Sequence, residues 1–317
     1  MTKVFMSRPL PEAVQAAARE FCDLTVRELT TPMTPDEMVM SLADYDGVVP
    51  TLGDFYTADI LAEAGDTRCK VLANFGVGYN HIDVAAAKAA GIAVSNTPGA
   101  VTDATADIAL CLMLMTARRA GEGERLLRAG QWEGWHPTQL LGMHLGGKTV
   151  GIVGMGRIGQ AIARRCHFGF GMNVAYASRR PKTLDFPAEA KDSLLDLAAA
   201  VDVMVLAVPG GAETHHLINA DVLTAMQPHA ILINIARGNV VEEAALINAL
   251  QSGQIAGAGL DVYEFEPAVP EALRAMENVT LLPHLGTAAL EVRTDMGMMS
   301  VANLRAFFAG KPLPNAI

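Results

Sequence analysis

Short apolar runs alternate with alanine-rich stretches of helical composition along the whole chain. In the first third the apolar runs are KVFMS, DLTV, GVV, KVLANF and IAVSNT, separated by stretches such as PEAVQAAAREF and DVAAAKAAG. From Lys148 onward six more follow: KTVGIVG, NVAYA, DVMVLAV, AILINIA, QIAGAGLDV and VTLLPH. Strands that alternate with helical crossovers are typical of parallel α/β sheets. The pattern predicts two α/β units in tandem, without a repeat of fixed period.

The segment between the two sets of strands predicts two consecutive helices and no flexible linker. It reads TPGAVTDATADIALCLMLMTARRAGEGERLLRAGQWEGW, and its apolar residues from Ile108 to Met115 occupy more than one helical face. A helix apolar on several sides packs on several sides, so this one is expected to cross between domains or to lie in a subunit interface. The stretch from Leu290 to Gly310 is also helical and is expected to fold back on the first unit. The predicted domains are residues 1–98 plus 288–317 and residues 99–287.

Composition places the chain among globular proteins and narrows its partners. Of 317 residues, 51% are hydrophobic and 18% charged, with a formal net charge of -10, which argues against general binding to nucleic acid or anionic membranes. The longest apolar run, within Ala109 to Ala117, is too short to span a bilayer, and the N-terminus lacks the apolar core of a secretion signal. The four cysteines show no CxxC spacing, so free thiols in the cytoplasm are expected.

A glycine motif follows the first strand of the second unit. The stretch VGIVGMGRIGQAIARR places Gly154, Gly156 and Gly159 in a GxGxxG between an apolar strand and a helix, the context in which this motif binds a dinucleotide. The first glycine permits a tight turn, the second lets the backbone approach the pyrophosphate, and the third lets the helix pack closely on the sheet. The helix N-terminus, around Arg157 and Ile158, offers N–H groups and a positive dipole end to the phosphates.

The next strand ends without the acid that usually binds the adenosine ribose. Proteins that bind NAD place an Asp or Glu there, which bonds the ribose 2′-OH and would repel a 2′-phosphate. This chain has Ser178, Arg179 and Arg180 instead. Guanidinium groups match the bidentate geometry of a phosphate. Because the chain as a whole is acidic, two adjacent arginines at this position indicate a specific site for a phosphate. The motif therefore predicts NADP(H) as the preferred coenzyme, with NAD(H) possible; two solvated loop arginines are the alternative interpretation.

Charged residues at three later strand ends could together assist the reduction of a carbonyl group. INIARGNVV places Arg237 after one strand, GLDVYEFEP places Asp261, Glu264 and Glu266 after the next, and LLPHLG places His284 after the last. Open α/β sheets bind ligands at this edge. A histidine beside a carboxylate can stay protonated near neutral pH and act as a general acid, while an arginine meets the developing negative charge. No HExxH, Cys/His cluster or GxSxG occurs, so neither a metal nor a serine hydrolase is predicted.

Six motifs together make the chain resemble the D-isomer-specific 2-hydroxyacid dehydrogenase family, and within it the glyoxylate/hydroxypyruvate reductase branch. They are VGYNHID, NTPGAVTDATAD, GMGRIGQAIA, NIARGNVV, GLDVYEFEP and LPHLGTA, and they cover nearly the whole chain. The resemblance implies two Rossmann-like domains, a flavodoxin-like substrate domain and a dinucleotide-binding domain, with the active site in the cleft between them. It also implies a homodimer that reduces small 2-oxoacids with NADPH, glyoxylate to glycolate and hydroxypyruvate to D-glycerate.

The same resemblance implies roles for single residues. Arg237 would bind the carboxylate and carbonyl of the substrate, His284 would donate the proton, and Glu266 would orient and charge His284. Backbone N–H groups at Val77 and Gly78 would hold the carboxylate of the 2-oxoacid. Further positions implied are Leu52 in the substrate pocket, Trp135 either at the active site of the partner subunit or in plain interface packing beside Trp132, and Val208, Pro209, Thr214, Ile235, Ala236, Asp261 and Gly286 around the coenzyme.

One loop departs from the family pattern. In AVPGGAETHHLI, Gly210 and Gly211 replace the bulkier residue and the Thr that relatives commonly carry, and Ala212 replaces a usual Pro. The loop covers the coenzyme in the family, so the departure affects how the coenzyme is held. His215 and His216, which follow in the same loop, are expected to be solvated or structural.

Two alternative functions stay open at this point. The first is another dehydrogenase of the same fold, of the D-lactate, phosphoglycerate or formate type, although the Gln that precedes the catalytic His in formate-oxidising relatives is absent from LLPHLG. The second is a dinucleotide-sensing binding protein, similar to transcriptional corepressors that share this fold and keep the Arg, Glu and His. The absence of basic segments and disordered tails argues against the second.

Overall fold

A computed structural model describes residues 2–317, which form two compact units. One extends to Val101 and also includes Thr287–Ile317, and the other is Thr102–Gly286. Each unit is built on one parallel β-sheet. The α/β class with two parallel sheets, predicted from the alternation of apolar and helical stretches, is therefore confirmed. The assignment of substrate to the first unit and of dinucleotide to the second stays a prediction at this stage.

The first unit has the strand order of flavodoxin-like folds. Its strands are β1 (Lys3–Met6), β2 (Asp23–Val26), β3 (Gly47–Val49), β4 (Val71–Ala73) and β5 (Ala93–Ser95). The helices between them are α1 (Glu12–Arg19), α2 (Pro35–Asp44), α3 (Ala58–Ala64) and α4 (Val84–Ala89). The order across the sheet is β2–β1–β3–β4–β5, so the strand order reverses between β1 and β3, the point at which such sheets bind ligands.

The second unit has the strand order of dinucleotide-binding folds. Its helices are α5 (Thr102–Ala117), α6 (Ala120–Arg128), α7 (Arg157–Phe170), α8 (Leu194–Ala200), α9 (Ala220–Ala225), α10 (Glu243–Gln251) and α11 (Glu271–Ala275). Its strands are β6 (Thr149–Val153), β7 (Asn173–Ala177), β8 (Glu189–Ala190), β9 (Val203–Leu206), β10 (Ile231–Asn234), β11 (Gly257–Leu260) and β12 (Val279–Leu281). The order β12–β11–β10–β9–β6–β7–β8 is the 3-2-1-4-5-6 arrangement of these folds with one strand added.

All six strands predicted for this unit are present, and a seventh was not predicted. The strand that the sequence did not predict is β8, a two-residue edge strand whose side chains are exposed. It pairs in parallel with β7, at Ala175 and Tyr176. An exposed pair of residues leaves no apolar run in the sequence, so the periodicity could not indicate it.

Buried side chains cover both faces of the second sheet. Along β9, Met204 and Leu206 join one buried cluster, and Val203 and Val205 join the cluster on the other face. A parallel sheet covered by helices on both sides needs apolar residues at successive positions. This is why the strands of this unit read as continuous apolar runs.

The apolar segment from Ile108 to Met115 is accounted for within the second unit. It lies in α5, which packs against α6 and α7 and against β10, β11 and β12. Ala109, Leu112 and Met113 are buried there. The expectation that this helix crosses between domains or forms a subunit interface is thus not needed to explain its apolar faces. Among residues 2–317, no helix combines the length and the apolar content that crossing a membrane requires.

The last helix, α12 (Leu290–Phe308), returns to the first unit as predicted. It packs against α1 and β4. At the contact with α1, a Cβ added to Gly297 would lie 2.5 Å from Cγ2 of Val14, which is fully buried. Gly297 therefore sets the close approach of the two helices.

We expect Gly297→Ala to lower the free energy of unfolding by about 1–3 kcal/mol, because overpacking of a filled contact outweighs the gain in helix propensity. Gly169→Ala is the matched control, since no atom lies within 4 Å of a Cβ added at this position of α7. The control should leave stability unchanged or raise it by up to about 1 kcal/mol. Urea unfolding followed by circular dichroism measures both, and equal effects of the two substitutions would contradict the packing argument.

Candidate active site

The glycine turn after β6 is packed at its ends and open in the middle. Gly154 has a φ of 96°, and a Cβ there would lie 2.7 Å from the carbonyl oxygen of Ala207. A Cβ at Gly159 would overlap the carbonyl oxygen of Gly154. At Gly156, in contrast, no atom lies within 4 Å of the Cβ position. The backbone is thus free for close approach by a ligand at the middle glycine, as a pyrophosphate requires.

Helix α7 begins directly after this turn. Its N-cap, Gly156, provides no side-chain hydrogen bond to the first turn, so the N–H groups there are available to an anion. Ile162 and Cys166 are buried and Ile158 packs partly buried beside them, so the predicted apolar stripe holds the helix on the sheet. The residues of the turn and of the helix start fit a dinucleotide.

Ser178, Arg179 and Arg180 are exposed at the end of β7. Strand β7 lies beside β6 in the sheet, so these residues lie next to the glycine turn. The guanidinium of Arg179 pairs with Glu213, with 2.6 Å between Nη1 and Oε2. Within the described part of the chain, Arg180 has no ion-pair partner. The prediction that these residues bind a 2′-phosphate is compatible with their position and stays a prediction.

The loop after β9 forms a closed turn next to the same glycines. The hydroxyl of Thr214 donates to the carbonyl of Pro209 at 2.8 Å, and its backbone N–H donates to the carbonyl of Gly211 at 3.1 Å. Farther along, Nε2 of His216 lies 2.6 Å from Oε1 of Glu264. His216 therefore fastens the end of the loop that begins at Val208 and Pro209.

His215, His216 and Glu264 have possible metal-ligand atoms within 4.8 Å of one another. The 2.6 Å between His216 and Glu264 is hydrogen-bond spacing. Two ligand atoms about 2.0–2.2 Å from a shared zinc ion would lie farther apart. The arrangement therefore indicates a hydrogen-bonded pair with His215 stacked on His216, their ring centroids 3.9 Å apart.

Arg237 is positioned by the buried side chain of Asn234. The amide Nδ2 of Asn234 donates to the carbonyl of Arg237, and its Oδ1 accepts from the N–H of Ala236, both at 3.0 Å. Ile235 and Ala236 are also buried. The guanidinium donates from Nη1 to the carbonyl of Ala236 at 2.7 Å. Burial lowers the pKa of Arg237, and the nearby carboxylate of Glu266 acts in the opposite direction.

Gly238 brings the arginine loop against the loop that carries Glu266. A Cβ at Gly238 would overlap the backbone of Tyr263 and Glu264. In the second loop, the N–H of Tyr263 donates to Oε1 of Glu266 at 3.0 Å. Any side chain at position 238 would separate the two loops, so the spacing between Arg237 and Glu266 depends on this glycine.

His284 and Glu266 form the hydrogen-bonded pair that the sequence predicted as an acid and its orienting group. Nδ1 of His284 lies 2.9 Å from Oε2 of Glu266, and the two side chains are 30% and 31% exposed. Burial opposes ionisation of Glu266, but the hydrogen bond and charge of His284, the N–H of Tyr263 and the charge of Arg237 outweigh it, so its pKa is lowered. An ionised Glu266 accepts from Nδ1–H, which leaves Nε2 of His284 for a ligand.

Asp261 fixes the backbone of His284. It is buried, and its two carboxylate oxygens accept from the N–H groups of Leu285 at 2.6 Å and Gly286 at 2.8 Å. Its carbonyl accepts from the N–H of His284 at 2.9 Å. His284 has a φ of 55°, in the left-handed region. Burial raises the pKa of Asp261 by more than the two N–H groups lower it. The predicted contact of Asp261 with the coenzyme stays a prediction.

The predicted substrate residues of the first unit lie in loops after β3 and β4. Leu52 is 40% exposed. The carbonyl of Val77 accepts from Nδ2 of Asn96 at 2.8 Å, and that of Gly78 accepts from Nδ2 of Asn74 at 3.0 Å. Two side-chain amides thus hold the carbonyl groups of the loop whose N–H groups are predicted to bind the 2-oxoacid.

Known proteins are similar to this chain in both sequence and fold. Residues 110–286 match the family model of the D-isomer specific 2-hydroxyacid dehydrogenase, NAD binding domain. A glyoxylate reductase of Thermococcus onnurineus is 42% identical over 321 residues, 99% of this chain and 95% of the relative. A glycerate dehydrogenase of Hyphomicrobium methylovorum is 36% identical over 319 residues, 99% of this chain and 98% of the relative.

A solved structure is similar to this chain in sequence and in fold. It is the NADPH-dependent glyoxylate/hydroxypyruvate reductase of Sinorhizobium meliloti in complex with NADP and malonate, and it is 39% identical to this chain. It superposes with a TM-score of 0.86, over 100% of this chain and 96% of that protein. The resemblance drawn from the six motifs is therefore confirmed. The chain belongs to the D-isomer-specific 2-hydroxyacid dehydrogenase family, as an NAD(P)-dependent oxidoreductase that interconverts 2-oxoacids and 2-hydroxyacids.

Proposed function

We propose that this enzyme reduces glyoxylate and hydroxypyruvate with NADPH, giving glycolate and D-glycerate. The observation that carries the proposal is the pair of His284 and Glu266, 2.9 Å apart, in which the loop of Glu266 also packs against the loop of Arg237. The imidazole of His284, with Nε2 free, and the half-buried guanidinium of Arg237 suit the reduction of a carbonyl that carries a neighbouring carboxylate. The names of the relatives in Thermococcus and Sinorhizobium support these two substrates.

The chemistry divides among three side chains. The bound coenzyme supplies a hydride to the carbonyl carbon. Arg237 binds the carboxylate and the carbonyl oxygen of the substrate and meets the negative charge that develops there. Nε2 of His284 donates the proton to this oxygen, and Glu266 keeps the imidazole oriented and favours its charged form.

The pH profile of reduction should report the pairing of His284 with Glu266. We expect His284→Gln to lower kcat by about 10²- to 10⁴-fold, the usual contribution of a general acid. Glu266→Gln should remove the acidic limb of the kcat/KM profile, because in the unmodified enzyme this limb follows protonation of Glu266, whose pKa the hydrogen bond and charge of His284 hold below its usual range. Glu271→Gln, an exposed acid at the start of α11, is the control and should leave the limb in place. Stopped assays across pH measure all three, and an unmoved limb in Glu266→Gln would contradict the role of Glu266.

The coenzyme preference should follow the residues after β7. In initial-rate measurements with each 2-oxoacid, we expect a higher kcat/KM with NADPH than with NADH. Ser178→Asp combined with Arg179→Ala should reverse the order, since an acid bonds the 2′-OH and repels the 2′-phosphate. Arg274→Ala, which removes a cation from α11, is the control for charge. A preference for NADH in the unmodified enzyme would refute this part of the proposal, and tight coenzyme binding without turnover would favour the sensor alternative.

We also propose that two copies form a dimer through residues 118–144. Over these positions every described side chain is exposed or half-buried. Apolar side chains are exposed there: Leu127 (60%), Trp132 (52%), Trp135 (80%) and Leu141 (65%). The segment also borders a cavity of about 900 Å³. An apolar surface of this kind marks a protein interface, and aromatic residues are enriched in such interfaces. The reach of Trp135 into the active site of the partner subunit belongs to the same proposal.

Substitution within this segment should change the oligomeric state. We expect Leu127→Asp to shift the protein from dimer to monomer at micromolar concentration, because a charge in the centre of an apolar contact is costly to desolvate. Phe168→Asp, at another exposed apolar position, 60% accessible on α7, should leave the dimer intact. Light scattering coupled to size exclusion gives the masses. A monomeric unmodified protein would overturn the proposal.

A further inference from the structure

We propose that Glu213 sets how strongly the enzyme distinguishes NADPH from NADH, because its carboxylate competes with the 2′-phosphate for Arg179. The inference rests on the proposed function, in which the arginines after β7 bind that phosphate. It assigns a part in the choice of coenzyme to a residue outside the β7 segment, Glu213, which follows β9.

The position of the ion pair in the sheet is the first argument. Arg179 follows β7 and Glu213 follows β9, and these strands are the two neighbours of β6. The ends of parallel strands lie at one edge of the sheet. A bond between the two loops therefore passes the end of β6, beside the glycine turn that fits the dinucleotide. Arg179 and Glu213 are joined at 2.6 Å across the place where the adenosine end of the coenzyme is expected.

The loop that carries Glu213 is fixed at its base and exposed at its tip. Thr214 closes the turn through its bonds to Pro209 and Gly211, and the pairing of His216 with Glu264 anchors the end of the loop. Gly211 has a φ of 151° and no atom within 4 Å of its Cβ position, so nothing packs on the loop there. The Glu213 side chain is 80% exposed and that of Arg179 is 82% exposed. Each can thus exchange its partner without disturbing the core.

The ion pair of Arg179 and Glu213 affects the binding of NADPH and NADH differently, because only NADPH carries a 2′-phosphate. A 2′-phosphate carries a charge of about −1.5 to −2 near neutral pH and must displace the single charge of Glu213 from Arg179. The displaced carboxylate then stays near the phosphate, and like charges repel. NADH leaves the pair intact, and the carboxylate of Glu213 can accept a hydrogen bond from the ribose 2′-OH, as the acid at the end of the second strand does in NAD-dependent folds. Arg180 has no ion-pair partner among residues 2–317, so its guanidinium can meet the phosphate without displacing a carboxylate.

Glu213→Gln tests the inference, because it removes the charge and keeps the shape. We expect kcat/KM with NADPH to rise about threefold to fivefold, the scale of an exposed ion pair, while kcat/KM with NADH stays constant or falls. The difference in kcat/KM with NADPH between Glu213→Gln and the unmodified enzyme should shrink at high salt, which screens exposed charges. Glu189→Gln is the matched control: it removes the same charge from an exposed acid that pairs with Lys191 on the neighbouring β8 segment, and the ratio of the two kcat/KM values should not change.

The outcomes separate this inference from the proposed function. If Arg179→Ala abolishes the NADPH preference but Glu213→Gln leaves the ratio unchanged or lowers it, the competition is refuted and the proposed coenzyme stands. If Glu213→Gln raises the ratio equally in the Arg179→Ala background, the effect does not pass through Arg179 and the inference is also wrong. Calorimetric binding to the enzyme without coenzyme adds a readout that does not depend on activity: adenosine 2′,5′-bisphosphate bound no more tightly than adenosine monophosphate would show that the phosphate has no site, which overturns both.

Discussion

The position of His284 in the candidate active site depends on the hydrogen bonds that the buried carboxylate of Asp261 accepts. Its two oxygens hold the N–H groups of Leu285 and Gly286, and so fix the left-handed backbone of His284. A backbone conformation of this kind persists only where its surroundings determine it. Once the backbone is fixed, the imidazole can meet Glu266. The order of dependence therefore runs from the buried carboxylate of Asp261, through the strained backbone of His284, to the orientation of its imidazole.

The two acids next to His284 respond to pH in opposite directions. The pKa of Glu266 is lowered, so it stabilises the fold above its unfolded pKa, and this contribution is lost as pH falls through the folded value. The pKa of Asp261 is raised, so its contribution is complete below the unfolded pKa and is lost as pH rises through the folded value. The site thus contains one carboxylate that is hydrogen-bonded to the imidazole of His284 and ionises readily, and another that is costly to ionise and holds the backbone.

The sequence predicted those features that depend on order along the chain. Apolar runs predicted both sheets, and the parallel topology brought Arg237, Glu266 and His284 to one edge. Features that depend on contacts between distant segments were not predictable. Asn234 and Gly238 lie in the motif NIARGNVV, but the motif alone does not indicate that Asn234 holds the arginine loop or that Gly238 sets its distance from the Glu266 loop. The apolar faces of α5 were ambiguous, because a helix inside a unit and a helix in an interface have the same composition.

Catalysis and the choice of coenzyme draw on regions of different rigidity. The loops of Arg237 and His284 are held by the buried side chains of Asn234 and Asp261, so a change there affects the geometry of the reacting groups. Arg179 and Glu213 lie on exposed loops and make few contacts with the core. Exposed ion pairs contribute little to stability, so the charges at Arg179 and Glu213 can vary at small cost to the fold. A family that keeps one reaction while its members differ in coenzyme is expected from such a division.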